Sequence, residues 1–393
     1  MDPEIGSDYE RPWRLAQGLA RRGLRVVVVA REVKRLNELG PLVELECPPG
    51  RLPSSPVGRI IDRANLYLHA RRVAYREVRS GHAFVVHHLG PCGGGSPSLI
   101  GKLQVPFVYG PVPATLPADF YDEEWQSWLR TPNARIMQTR LSSVLVSQAR
   151  PFAKFLRRRT IRRADAITVE ARAEGHDHPN VAVIRPGIDI DQFKPRNRSE
   201  PEAGRVVAVG RFLPRKGYDV LIRAVARLAR SLPSTRLLLI GSGPQEQSLR
   251  LLATQLGIDA AVTFTGNVSR SELIRLLQSA EVFCHPAKWE SYFPAAPLEA
   301  MACGLPMMVS TAGALPELVG NFAGLVHTIG DDEELASNLR DVLTNGTRRR
   351  ALGSAARAHI VKHFTWETMC DSYHDLYRRL ADSRLLASSM LES

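Results

Sequence analysis

The stretch VVAVGRFLPRKGYDVLIRA, Val206 to Ala224, decides the fold. It begins with a short apolar run typical of a buried parallel strand and ends with apolar residues at helical spacing. Between them, the loop Gly210–Gly217 brings two or three cations to the N-terminus of the predicted helix, where free amides and the helix dipole favour an anion. The spacing matches neither a Walker A loop nor a GxGxxG motif. The loop is therefore interpreted either as a diphosphate site or as a solvated strand–helix turn.

The same alternation of strands and helices continues through the second half of the chain. The predicted strands are Val206–Val209, Arg236–Ile240, Ala261–Thr265, Val282–Cys284 and Pro306–Ser310. The predicted helices between them are Tyr218–Ser231, Gln245–Leu256, Ser271–Ser279 and Pro297–Cys303. Such alternation predicts a doubly wound parallel sheet.

The first half repeats the alternation, so the sequence predicts an α/β protein of two doubly wound domains. Its predicted strands are Leu24–Ala30, Leu42–Cys47, Ala83–His88, Pro106–Tyr109, Ala166–Glu170 and Val181–Ile184, and its longest predicted helices are 58–79 and 135–163. We assign 1–187 to the first domain, 188–202 to a linker, 203–365 to the second domain, and 366–393 to helices that return to the first. Ligands of such sheets bind at the carboxyl ends of the strands, which here predicts a cleft between the domains.

One element of this architecture is not found in the sequence. A doubly wound domain opens with a strand that feeds a tight loop, yet this chain starts at the loop-like segment Asp2–Asp8. We therefore expect the first sheet to lack its first strand and the loop bearing Gly6 to be weakly anchored.

Two carboxylates flank a second candidate binding segment, WESYFPAAPLEAMACGLPM, Trp289 to Met307. Glu290 is expected at the end of a strand and Glu299 at the start of a helix that Gly304 terminates. Carboxylates accept from hydroxyl groups, and the free amides at 293–298 donate to phosphoryl oxygens. A sugar nucleotide matches both properties. Alternatively, Glu299 is an acidic residue of the first helical turn and Glu290 is a surface charge. The segment Gly241–Pro244 likewise has two interpretations, a second anion-binding loop or a plain turn.

Composition predicts a cytoplasmic protein, with or without peripheral contact at the inner face of the plasma membrane. No apolar run approaches the ~18 residues of a membrane span, and Met1 is not followed by a signal peptide. The five cysteines are scattered without metal-ligand spacing, so free thiols are expected and no metal or other cofactor.

The net charge of +12 has its densest cluster at Arg157–Arg163. Three interpretations stay open: a solvated helix face, a dock for anionic membrane lipid or a phosphorylated carrier, and nucleic acid. The last is disfavoured because no aromatic residues are interleaved for base stacking.

The second half resembles the donor-binding domain of the retaining glycosyltransferases of family four, which have the GT-B fold. The motifs that carry the resemblance are RPGIDIDQFKP, VGRFLPRKGYDVLIRA, LLIGSGP, FTGNVS, WESYFPAAPLEAMACGLPM and GALPELV, in the order usual for the family. The first half is similar more loosely, through PEIGSDYERPWRLAQGLARRG, VVHHLG and PFVYGPV, and WETMCDSYHDLYRRL resembles the segment that crosses back to the first domain.

The resemblance implies roles for individual residues. Arg211 and Lys216 would hold the donor diphosphate and stabilise the leaving group, Glu299 would bind the ribose, and Glu290 the hydroxyls of the sugar. Either His87 or His88 would face the sugar from the first domain, since adjacent residues on a strand point to opposite faces; His88 is preferred. The remaining implied donor contacts are Gly6, Gly210, Gly241, Gly243, Val268, Phe293, Ala295, Ala296 and Leu298.

Two further departures from the family pattern concern the site. Eight residues separate Glu290 from Glu299 where the family has seven, which reshapes the loop between them. Where relatives often have a glycine-rich run, this chain has Pro113–Leu116, so contacts with the acceptor are expected to differ.

The leading hypothesis is retaining transfer of a hexosyl unit from a UDP- or GDP-sugar to an acceptor hydroxyl in glycan, exopolysaccharide or glycolipid synthesis. The acceptor is a glycan, a lipid-linked sugar or a small molecule. A sugar-nucleotide epimerase of the same fold and a non-catalytic sugar-nucleotide-binding protein remain as alternatives.

Overall fold

The computed structural model describes residues 7–30, 38, 40–49, 56–89, 98–112, 155–172, 178–196, 201–290 and 292–392. Gly6, the segment Pro113–Leu116 and the predicted helical residues 135–154 lie outside them. The expectations for these positions therefore stay predictions.

The first domain is built from parallel strands and long helices. Its elements are α1 Ser7–Arg21, β1 Val26–Val29, β2 Val43–Glu46, α2 Pro56–Arg79, β3 Val86–Leu89, β4 Phe107–Gly110, α3 at 155–163, β5 Ala166–Val169 and β6 Val181–Val183. Its strands form two groups, β1-β2 and β3-β4-β5-β6. In the described part of this domain, no backbone pairing joins β1 to β3.

The second domain contains one sheet of six parallel strands in the order β12-β11-β10-β7-β8-β9. Its strands are β7 Arg205–Val209, β8 Arg236–Ile240, β9 Val262–Gly266, β10 Val282–His285, β11 Met307–Ser310 and β12 Gly324–His327. Its helices are α4 Tyr218–Ala229, α5 Glu246–Gln255, α6 Arg270–Gln278, α7 Ala295–Ala302, α8 Leu315–Val319, α9 Asp332–Thr344 and α10 Gly346–His363. Because the chain starts in the middle of the sheet and winds outward both ways, this is the doubly wound topology that the sequence predicts.

Helices cover both faces of this sheet with separate apolar cores. One core lies beneath α7, α8 and α10 and includes Met301, Leu318 and Ile360. The other lies beneath α4, α5 and α9 and includes Leu221 and Leu249. Strands covered on both faces must be apolar throughout, which explains runs such as RLLLI in β8.

The last helix, α11 Trp366–Glu392, connects the two domains. It starts beside an isolated bridge between Ile188 and Thr365. Further along, its residues Met369, Tyr373 and Leu376 pack into the first-domain core. No helix among the described residues is long and apolar enough to cross a membrane.

The described part of the predicted linker is packed on the second domain. Phe193 is fully buried. The Arg357 guanidinium donates to the carbonyl of Phe193 at 2.7 Å and to that of Ile190 at 3.0 Å. Residues 188–196 are therefore fixed by the second domain over most of their length.

Candidate functional site

The loop after β7 is shaped by a tight contact with the neighbouring strand. Residues Pro214–Lys216 form one 3-10 turn, and Gly217 follows in a left-handed conformation with φ 68°. A Cβ atom at Gly217 would lie 2.0 Å from the carbonyl oxygen of Pro286, just after β10. A glycine is required here, and it holds the cationic loop against the carboxyl end of β10.

A buried cluster of opposite charges forms beneath this loop. Lys216 forms an ion pair with Glu290, and Arg215 Nη1 lies 3.4 Å from Glu290 Oε1. His285 Nε2 lies 3.2 Å from Glu290 Oε2. The Arg215 guanidinium also stacks over the Trp289 ring, 5.7 Å from its centre. Glu290 therefore faces the cations of its own domain.

The electrostatics of the cluster keep Glu290 ionised. Burial alone would raise the pKa of Glu290, but Lys216, His285 and Arg215 outweigh it and hold the pKa well below its usual range. Burial and then the charge of Lys216 lower the pKa of His285, which favours the neutral ring. A neutral His285 with its proton on Nε2 donates to the carboxylate.

Helix α7 presents its N-terminus beside this cluster, starting earlier than predicted. Pro294 is its extended N-cap residue, so Glu299 lies in the second turn and not at the start as expected. Glu290 lies in the loop beyond β10 and not at a strand end, because β10 stops at His285. The half-exposed Ala295 and Ala296 stand at the first turn, where helix amides lack intrahelical acceptors. This geometry suits an anion.

Glu299 is a half-buried carboxyl group on the same helix. Burial raises its pKa to about 7, Arg270 opposes that rise, and Glu10 of α1 adds to it. Arg270 Nη1 lies 3.2 Å from Glu10 Oε2, so an ion pair between the domains borders Glu299. A carboxyl group in such a position can accept hydrogen bonds from hydroxyl groups.

A second contact between the domains reaches the start of α7. Glu170, just after β5, is 3% exposed and forms an ion pair with Arg11 of α1. Its Oε2 accepts from the backbone N–H of Phe293 at 3.2 Å. The Phe293 ring packs in the core against Phe364, with ring centres 5.4 Å apart.

The predicted glycines bring the ends of β7 and β8 together. A Cβ atom at Gly241 would lie 2.2 Å from the carbonyl oxygen of Gly210, and one at Gly243 would lie 2.6 Å from the backbone of Phe212. Val268, after β9, packs against the core, while Arg211 is exposed on the loop. Leu298 is buried, so only its backbone is available to a ligand.

The structure places the two predicted histidines in separate aromatic pockets. His87 Nδ1 lies 2.6 Å from the Tyr377 hydroxyl of α11, and burial lowers its pKa to about 3. The His88 ring packs against Tyr67 and Tyr109, and burial lowers its pKa to about 4. These contacts do not join either ring to the Lys216–Glu290 cluster.

Sequence reasoning missed several side chains that surround the site. These are Glu10, Arg11, Glu170, Arg270 and His285. A signal existed for some of them, because Glu170 and His285 each stand at the carboxyl end of a predicted strand. In the described part of the chain, no three His, Cys, Asp or Glu side chains converge as metal ligands.

Known proteins are similar in sequence to the second half of the chain. Residues 189–359 match the family model described as glycosyl transferases group 1. Over 209 residues the chain is 32% identical to the GDP-mannose-dependent monoacylated alpha-(1-6)-phosphatidylinositol monomannoside mannosyltransferase of Corynebacterium glutamicum, covering 49% of this chain and 54% of that protein. Over 216 residues it is 33% identical to the D-inositol 3-phosphate glycosyltransferase of Saccharomonospora viridis, covering 50% of each. The chain thus spans about half the length of these curated relatives.

Solved structures match the fold over nearly the whole chain. The HepE protein of Anabaena in complex with UDP aligns with a TM-score of 0.65 at 18% identity, covering 96% of this chain and 98% of that one. The sucrose-phosphate synthase of Thermosynechococcus elongatus aligns with a TM-score of 0.61 at 21% identity, covering 94% and 92%. The two-domain GT-B fold expected from the sequence is confirmed.

Proposed function

We propose that the chain, whose residues 189–359 match the group 1 glycosyl transferases, transfers a hexosyl unit from a nucleoside diphosphate sugar to an acceptor hydroxyl with retention of configuration. One observation carries this proposal. The cations of the Gly210–Gly217 loop, the N-terminus of α7 and the Glu299 carboxyl group share one edge of the second sheet. The cations and the helix N-terminus match a diphosphate, and the Glu299 carboxyl group matches a ribose.

Charge stabilisation supplies the main catalytic contribution. Departure of the diphosphate leaves negative charge beside Lys216 and Arg211, and preorganised cations stabilise developing charge strongly where water is excluded. Retention follows when the acceptor hydroxyl attacks on the face that the diphosphate leaves. The bond from the anomeric carbon to the phosphate oxygen breaks, the bond to the acceptor oxygen forms, and the hydroxyl proton passes to the departing diphosphate. Because the cations are side chains of the chain itself, transfer without a metal is part of the proposal, and EDTA should leave the rate unchanged.

GDP-mannose is the first donor to test. The Corynebacterium relative is named for GDP-mannose, and its 32% identity covers 209 residues. The UDP complex of HepE comes with 18% identity and supports the fold alone. Both curated relatives are named for inositol-containing acceptors, so inositol phosphate and phosphatidylinositol mannoside are the first acceptors.

The test is a transfer assay with GDP-mannose or UDP-glucose and each acceptor, read by mass spectrometry. NMR of the product then gives its anomeric configuration. An α-linked product from an α-linked donor is expected. A new nucleotide sugar formed without any acceptor would favour the epimerase, and nucleotide binding without turnover would favour a binding protein.

We also propose that α3 contacts an anionic membrane surface. The helix exposes Arg158, Arg159, Arg162 and Arg163, together with a Phe155 that is 59% exposed. Each cation near such a surface contributes roughly 1 kcal/mol. Vesicles with 30% phosphatidylserine should sediment the wild-type chain at low salt but not a variant with these four arginines changed to glutamine. Equal sedimentation of both would refute the contact.

A further inference from the structure

Glu290, the carboxylate that the sequence assigns to the donor sugar, is paired with cations of its own domain. Glu290 contacts Lys216, Arg215 and His285, and its side chain is 7% exposed. Its backbone is fixed as well, because a Cβ atom at Gly313 would lie 1.7 Å from the Glu290 carbonyl oxygen. Glu290 is thus placed to orient Lys216 for the diphosphate.

A different carboxylate stands at the start of α7. Glu170 comes from the opposite domain, and its Oε2 lies 3.2 Å from the Phe293 amide nitrogen. Arg11 holds the same carboxylate by an ion pair. Glu170 and Arg11 also line a pocket with Leu89, Pro111 and Tyr373. A first-domain group therefore reaches the segment where the donor is proposed to bind.

We propose that Glu170 is a specificity-determining residue that recognises a neutral hydroxyl group of the donor sugar. This hydroxyl group inserts between the Glu170 carboxylate and the Phe293 amide. This inference rests on the proposed function. A hydroxyl group can both accept from an N–H and donate to a carboxylate, so it satisfies both partners of the contact that it replaces. A carboxylate or phosphate at that position has no proton to donate and would meet the charge of Glu170.

The insertion requires only a small separation of the domains. With N–H···O and O–H···O⁻ bonds of about 2.9 and 2.7 Å, the amide nitrogen and Oε2 would move apart by roughly 2 Å. The sugar hydroxyl would then take its place between the same two groups.

Calorimetry separates this contact from the rest of donor binding. GDP and GDP-mannose, and UDP and UDP-glucose, are titrated into wild type and Glu170→Gln. The nucleoside diphosphate should bind both proteins within about twofold. The extra affinity contributed by the sugar should fall about tenfold or more in the variant, as expected for a hydrogen bond to a charged group.

Glu281→Gln is the matched control for loss of a buried carboxylate. Glu281 pairs with Arg349 at 2.7 Å and accepts from the Gly204 amide at 2.7 Å. It lies just before β10, at the amino ends of the strands and so opposite to the candidate site. This variant should lose stability but keep the sugar contribution. If Glu170→Gln is poorly folded, the double variant Arg11→Gln/Glu170→Gln removes both charges and should show the same selective loss.

A scan of deoxy donors supplies the second readout. In wild type, removal of one sugar hydroxyl should lower affinity about tenfold, and that loss should largely vanish in Glu170→Gln. A sugar contribution that is unchanged in Glu170→Gln overturns the inference and leaves the donor site standing. If wild type binds neither nucleotide nor nucleotide sugar, the proposed function fails and this inference fails with it.

Discussion

At the residue scale, Lys216 combines two tasks in one side chain. It neutralises the buried Glu290 carboxylate, and it stands on the loop that we propose binds the donor diphosphate. Such a lysine is available to a ligand only if the rest of the cluster can hold the carboxylate. His285 and Arg215 provide those additional contacts.

Changing Lys216 to alanine should weaken nucleotide binding by about 2 to 4 kcal/mol, because a charged phosphate contact is lost. Calorimetry with GDP and UDP measures the effect. Lys288→Ala is the control, since Lys288 is exposed and pairs with Asp219 at 3.0 Å. Equal losses in both variants would mean that Lys216 has no special role.

The raised pKa of Glu299 predicts that the free energy of unfolding depends on pH. Its pKa is raised by burial to about 7 in the folded chain, against about 4.3 in an unfolded one. The folded state thus binds the proton more tightly than the unfolded state. The contribution of Glu299 to the free energy of unfolding is therefore fully present below about pH 4 and is lost as the pH rises through 7.

Glu299→Gln should therefore be more stable than wild type at pH 8, by on the order of 2 kcal/mol, and close to wild type at pH 4. Urea denaturation at the two pH values measures the gap. A gap of the same size at both would show that Glu299 does not titrate differently on folding.

The sequence predicted some of these residues and missed others for a physical reason. Lys216 and Glu299 lie in contiguous motifs whose chemistry can be read locally. Glu170 meets Phe293 across 123 positions of the chain, and Glu10 meets Arg270 across 260. Contacts between domains depend on how two folded units dock, which no local spacing reports.

At the element scale, the ends of β7 and β8 approach so closely that only glycines fit. Gly241 has φ 126°, and a Cβ atom there would lie 2.2 Å from the carbonyl oxygen of Gly210. The strand–loop–helix alternation was predictable because its apolar periodicity is strong. The start of α7 was predicted too late, since Pro294 and Pro297 look unlike helix formers yet are tolerated at a helix start.

Gly241→Ala should destabilise the second domain by about 2 kcal/mol or more, because the new methyl group displaces the Gly210 loop. Gly257→Ala is the matched control: its φ is 69°, but no atom lies within 4 Å of an added Cβ. That variant should lose only about 1 kcal/mol, from the left-handed backbone. Denaturant titration compares them, and equal losses would mean that the close approach is not limiting.

At the scale of the whole molecule, helices α1 and α11 pack together in the first domain. Their residues share one core that includes Leu15, Leu19, Met369 and Tyr373. The same α1 carries Glu10 and Arg11, which support the contacts with the second domain. Packing of α11 on α1 therefore also supports the helix that carries these two residues.

Gly18 lies at a close contact between these two helices, which allows their packing to be tested. A Cβ atom at Gly18 would lie 2.2 Å from Cys370 Sγ and 3.0 Å from its Cβ. Gly18→Ala should therefore cost about 1 to 3 kcal/mol through overpacking.

The double variant Gly18→Ala/Cys370→Ala removes the sulfur that the new methyl group meets, so it should recover most of the loss. Cys370→Ala alone leaves a small void beside a residue that is 1% exposed and should cost stability by itself. Urea denaturation of the three variants gives the coupling free energy between the two positions. Losses that simply add would show that the two helices can shift apart without strain.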